Sequence, residues 1–97
     1  MSDKERRPAV EFGQDRVHEL KIWPEFFEAQ DDGRKPWEVR TNDRDYRVGD
    51  KLLLKEWSPE TGCCTGRLMF RVITYMCDLP GMDGFVGMTT EWPEVAK

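Results

Sequence analysis

The chain is short of the residues from which metal centres, disulfide scaffolds and nucleophilic triads are built. Histidine occurs once, as His18, in 97 residues, and the three cysteines, Cys63, Cys64 and Cys77, form no C-x-x-C pair. An odd count with two adjacent thiols argues against a disulfide framework, and the ligand spacings of structural zinc sites are missing. No metal and no cofactor is expected, and the thiols read as reduced. No Ser or Cys stands beside the histidine in sequence, and no glycine-rich loop suited to cradling phosphates is found. No apolar run approaches the ~20 residues that cross a bilayer. The first residues lack the apolar core of a signal peptide, so the expected location is cytoplasmic. Basic residues are outnumbered, 15 Lys and Arg against 19 Asp and Glu, for a net charge of −4. That balance argues against a broad basic face for non-specific phosphate binding.

What remains is enough for one domain with a modest core. Residues 1–16 are polar and mixed in charge and read as a flexible arm; Arg6 and Arg7 there read as part of a solvated tail in preference to a contact with an anionic partner. Residues 17–97 read as the folded unit. His18, Leu20 and Ile22 alternate with Glu19 and Lys21 in a strand pattern. Pro24 suits a helix start, Phe26, Phe27 and Ala29 supply an apolar face, and Gly33 suits a left-handed cap. Further strands are expected over Trp37–Thr41, Lys51–Trp57, Arg67–Met76 and Phe85–Thr90, with Ser58–Gly62 as a turn. The fold class is α+β, mainly β: a small mixed five-stranded barrel with a short helix after the first strand.

Polar chemistry concentrates between Gly33 and Asp50. Trp37 and Val39 alternate there with Glu38 and Arg40, which predicts a strand with Trp37 and Val39 in the core and the charged pair on a polar site. Side chains two apart share a face, and Lys35 precedes them within reach. A carboxylate flanked by two cations can accept an exocyclic amine while an arginine reads a carbonyl or phosphate. Trp57 or Tyr46 would supply a stacking platform. The same residues also admit a simple ion pair closing the barrel mouth. Asn42-Asp43-Arg44-Asp45 reads either as a self-bonded turn, with Arg44 tying it to the barrel, or as a ligand contact. His18 reads as a satisfied histidine at the core edge or as a titrating group.

Three strings carry a resemblance: His18-Glu-Leu-Lys-Ile through Pro24-Glu-Phe-Phe27, Gly33-Arg-Lys through Glu38-Val-Arg40, and Asn42-Asp-Arg-Asp-Tyr46 followed by Val48-Gly-Asp50. From about Val17 to Thr90 the chain resembles a family of bacterial and phage proteins, a domain of unknown function (DUF3850) with an ASCH-like fold of the PUA-like superfamily. The resemblance implies a PUA/ASCH-like barrel that binds RNA or a modified nucleobase, with Lys35 and Arg40 facing the cleft. Some ASCH relatives are amidohydrolases acting on acylated cytidine. Glu38 stands where those enzymes carry a catalytic Thr, which removes the hydroxyl nucleophile.

The expected function is recognition of a base or nucleotide, RNA included, by Lys35, Glu38 and Arg40, with His18, Lys21, Asn42, Arg44 and Trp57 around them. An enzyme is not expected; if there were one, Lys35 and Glu38 would carry it. The alternatives are a small amidohydrolase on a modified nucleoside, or a protein-interaction module using Trp92 and the acidic surface.

Overall fold

The computed structural model describes residues 16–93. The element order is β1 (Val17–Ile22), α1 (Pro24–Asp31), β2 (Trp37–Thr41), β3 (Lys51–Ser58), β4 (Cys63–Asp78) and β5 (Phe85–Glu91). The strands form one sheet in the order β1-β3-β4-β5-β2. β1 runs parallel to β3, and the other pairs are antiparallel. A parallel pair needs a long crossover, and α1 with β2 supplies it. The expected mainly-β fold with one short helix after the first strand is what forms. The sheet curls into a half-barrel whose two edges, β1 and β2, stay unpaired with each other.

Period-two alternation decides which side chains line the interior. Leu20 and Ile22 from β1, Leu52 and Leu54 from β3, Met69 and Ile73 from β4, and Val86 and Met88 from β5 form the core, joined by Phe27 and Tyr46. A bulge places Thr74 as an extra residue on β4, between the pairs Ile73–Thr90 and Tyr75–Thr89. It reverses the parity of β4. Odd residues point inward before it, and Met76 packs against the core after it. β4 is also longer than the alternation suggests, starting at Cys63 directly after the Ser58–Gly62 turn.

β2 departs from expectation. Its apolar residues Trp37 and Val39 are exposed, while Glu38 is buried and Arg40 half-buried. The register explains this. Glu38 pairs with Met88 and Arg40 with Val86, both inward-facing residues of β5. The charged face therefore turns inward, and the apolar residues turn out.

The helix starts with Pro24 at its first position, and the N–H groups of Phe26 and Phe27 reach the Trp23 carbonyl at 3.0 and 2.9 Å. Gly33 follows its end at φ 87°, a conformation open to glycine without strain. Phe27 and Gln30, three apart and so on one face, are the buried pair; Phe26 is exposed instead of joining the core. The expected arm lies outside the described residues except for Arg16, whose Nε donates to both oxygens of Asp50 at 3.1 Å.

Candidate functional site at the open seam

Where β1 and β2 fail to meet, two arginines stand in for the missing ladder. Arg40 Nη2 donates to the Lys21 carbonyl at 3.0 Å, and Arg44 Nη1 to the Glu19 carbonyl at 2.9 Å. Alternate residues of a strand present their carbonyls to the same edge, so two carbonyls of the β1 edge are satisfied from the β2 side. Next to these bridges lies a cleft of about 400 Å³ between the end of β1, the start of α1, and β2. Trp23, Phe26 and Trp37 wall it, all exposed at 49%, 41% and 46%. Lys35, Glu38 and Arg40 provide its charge.

Glu38 organises that charge from inside. It is 3% exposed. Its Oε1 accepts from Arg40 Nε at 2.9 Å, its Oε2 accepts from Gln30 Nε2 at 2.7 Å, and Lys35 Nζ lies 3.6 Å from Oε2. A buried carboxylate is tolerable only with such partners. Lys35 Nζ also donates to the Trp37 carbonyl at 2.8 Å, and sits 5.7 Å from the Phe26 ring centre and 5.6 Å from that of Trp37. The ammonium therefore rests in the negative fields of two ring faces.

The polar network continues inward. Gln30 Nε2 also donates to the Trp37 carbonyl at 2.8 Å, and Gln30 Oε1 accepts from Thr90 Oγ1 at 3.3 Å. Arg71 reaches the Thr90 hydroxyl and carbonyl at 3.2 and 2.9 Å, and burial lowers the pKa of its guanidinium. A chain of hydrogen bonds thus crosses the barrel from the seam to Arg71, whose guanidinium carbon stands 4.5 Å from the Trp92 ring centre.

The remaining sequence-predicted residues separate. Lys21 lines the cleft, but its ammonium lies 5.4 Å from the Trp57 ring centre, and Trp57 itself is not part of the lining. Arg44 ties its loop to β1 as described, and the Asn42 backbone N–H donates to the Gly84 carbonyl at 2.7 Å. His18 belongs to a different cluster. Its Nε2 meets Asp50 Oδ2 at 2.8 Å, and its ring lies 4.7 Å from that of Tyr46. Asp50 also accepts from the Arg47 N–H at 3.0 Å, so this group closes the Val48-Gly49-Asp50 corner. Trp23, Phe26 and Trp37 as walls, and Gln30 as anchor, were not foreseen. A tryptophan just before the helix proline was the one available signal.

A second cleft, of about 420 Å³, lies between α1 and β4 beside Trp92. Its cation is already committed: Arg67 Nη2 pairs with Glu28 at 2.9 Å, and the guanidinium stacks 4.5 Å from the Phe27 ring centre. None of the predicted site residues lines it.

Comparison with known proteins now assigns the chain. It belongs to the family described as a domain of unknown function (DUF3850), whose pattern matches residues 17–89. It is also similar to an "Uncharacterized 12.9 kDa protein in GpA 3'region" of Escherichia phage P2, at 39% identity over 64 residues. That match covers 66% of this chain and 57% of the phage protein's length.

Proposed function

We propose that the seam cleft binds a single base or nucleotide, free or within a single-stranded RNA. The observation that carries this reading is the exposure of Trp23, Phe26 and Trp37 around the cations Lys35 and Arg40, in one cleft. Large aromatic rings left in water beside fixed cations suit a flat ligand that is also electron-rich. Base stacking on such rings is worth ~1–3 kcal/mol per base. One local cationic cleft needs no broad basic surface, which accords with the net charge of −4.

This reading changes the part given to Glu38. Both of its oxygens are taken by donors of the chain itself, so it positions Lys35 and Arg40 rather than reading a base amine or abstracting a proton. Binding is favoured over hydrolysis on that ground. A half-barrel with a helix after its first strand supports placing the chain with ASCH-like, PUA-like domains. Exposed, unbridged Cys63, Cys64 and Cys77 support a reducing, cytoplasmic setting.

The test is calorimetric titration of short single-stranded RNAs and the four 5′-nucleotides into wild type and Trp37→Ala. Saturable binding that weakens by about fivefold or more in the variant is expected, from the ~1–3 kcal/mol stacking range. No saturable heat with any of these ligands would end the proposal.

A further inference from the structure

We infer that the cleft selects its ligand by a phosphate group, so that nucleotides bind and the corresponding nucleosides bind far more weakly; this rests on the base-or-nucleotide reading above. The inference comes from sorting the polar atoms of the cleft by what they still have to give. Among the residues lining it, Glu38 alone carries a side-chain acceptor. That acceptor is buried and both of its oxygens are engaged, Oε1 by Arg40 and Oε2 by Gln30, which turns it away from a ligand. The Trp37 carbonyl accepts twice, from Lys35 and Gln30, and the Lys21 carbonyl accepts from Arg40.

Donors, by contrast, are in surplus. An ammonium has three N–H bonds and a guanidinium five. Among the described residues the Lys35 ammonium makes one hydrogen bond, to the Trp37 carbonyl, since 3.6 Å to Glu38 is too long for another. Arg40 uses Nε and Nη2, which leaves Nη1 without an acceptor among the described residues. The indoles of Trp23 and Trp37 can only donate. One carboxylate against two cations leaves the Lys35, Glu38 and Arg40 group with a net single positive charge. An anion with several acceptor oxygens, attached to a flat ring, is the complement of that set.

Lys35 also occupies the space in which a ring would stack. Its ammonium lies over both the Phe26 ring and the Trp37 ring, 5.7 and 5.6 Å from their centres. A phosphate at the cleft mouth gives that ammonium a stronger partner than a ring quadrupole. As the ammonium turns to the phosphate, both rings are released for the base. Phosphate binding and base stacking would therefore be coupled through one side chain. A neutral nucleoside offers Lys35 no reason to leave, and has to compete with it for the rings.

The experiment compares each 5′-monophosphate with its nucleoside and with inorganic phosphate by calorimetry, at low and moderate salt. The monophosphate should bind at least tenfold more tightly than its nucleoside. The gap should narrow as salt rises, since the added contact is ionic and partly exposed. In Lys35→Gln the gap should collapse, while Lys35→Arg, which keeps the charge, should retain most of it. Nucleoside and monophosphate binding equally to wild type would overturn phosphate selection and leave the base reading standing. Binding of neither would overturn both. Inorganic phosphate binding as tightly as the nucleotides would overturn the coupling, since the rings would then contribute nothing.

Discussion

Glu38 and Arg40 lie two residues apart on β2, point into the half-barrel and meet there, Arg40 Nε on Glu38 Oε1 at 2.9 Å. The pair lies at the cleft and also holds the seam, because the same guanidinium reaches the Lys21 carbonyl of β1. Removing one member of a buried, hydrogen-bonded ion pair typically costs ~3–5 kcal/mol. Glu38→Ala should destabilise the domain by that order in urea unfolding. Glu38→Gln keeps an acceptor for Gln30 or Arg40 and should cost clearly less. Equal stability of wild type and Glu38→Ala would mean that the pair is not the internal anchor described.

Gln30 is fully buried and bonds the Trp37 carbonyl, Glu38 and Thr90. Gln30→Leu roughly conserves volume but leaves Glu38 Oε2 without a hydrogen-bond donor, while the Trp37 carbonyl keeps Lys35 and the Thr90 hydroxyl keeps Arg71. A buried group left without a partner costs ~1–3 kcal/mol, so a loss of about 1–3 kcal/mol is expected. A double-mutant cycle with Glu38→Gln should show coupling on the order of 0.5 kcal/mol or more, the signature of residues in one network. Additive effects would separate the two.

Arg44 and Arg40 both cap β1 carbonyls, but only Arg40 lines the cleft. Arg44→Ala should therefore cost about 1 kcal/mol or less, a single exposed hydrogen bond, with nucleotide affinity unchanged. Arg40→Ala should lose stability and affinity together. Parallel unfolding and binding curves for the two variants decide the matter. Loss of affinity in Arg44→Ala at full stability would extend the site into the Asn42–Tyr46 loop.

Burial raises the Tyr46 phenol above its usual 10.0. In the unfolded chain the phenol ionises first, so unfolding is favoured as pH rises from about 10 through the folded value. Below 10 the effect is absent, as both states hold the proton. The urea midpoint of wild type should fall between about pH 9 and pH 11 more than that of Tyr46→Phe. Asp45 acts at the other end. Its hydrogen bond from Arg47 holds the carboxyl below 3.8, a contribution present above that value and lost as pH falls through the lowered folded pKa. The penalty of Asp45→Asn should therefore be seen at neutral pH and vanish in strong acid.

Much of the fold can be read from the chain because its apolar alternation is honest on β1: Leu20 and Ile22 point in, and Glu19 and Lys21 point out. Pro24 and Gly33 bracket the helix for reasons of backbone conformation alone. β2 misleads because alternation tells two faces apart without telling which one is buried, and here the buried face carries Glu38 and Arg40. What makes that possible is Gln30, which in an eight-residue helix looks like surface. Its partner is eight residues away in sequence, across the Gly33 turn. Lys35, Glu38 and Arg40 were legible as a cluster because they are close in sequence. The aromatic walls were not, since Trp23 and Phe26 come from the other side of the seam and meet Trp37 only once the helix has folded back. His18 was separated from the cleft by register, which sets it beside Leu52 and within reach of Asp50.

The most direct test follows the indole N–H signals of the four tryptophans by NMR while a 5′-nucleotide is titrated in. Trp23 and Trp37 wall the seam cleft, and Trp92 borders the other one. The account predicts saturable shifts of the Trp23 and Trp37 signals with a shared midpoint, and a stationary Trp92. Shifts at Trp92 with Trp23 and Trp37 unmoved, or no saturable shift at any indole, would contradict it.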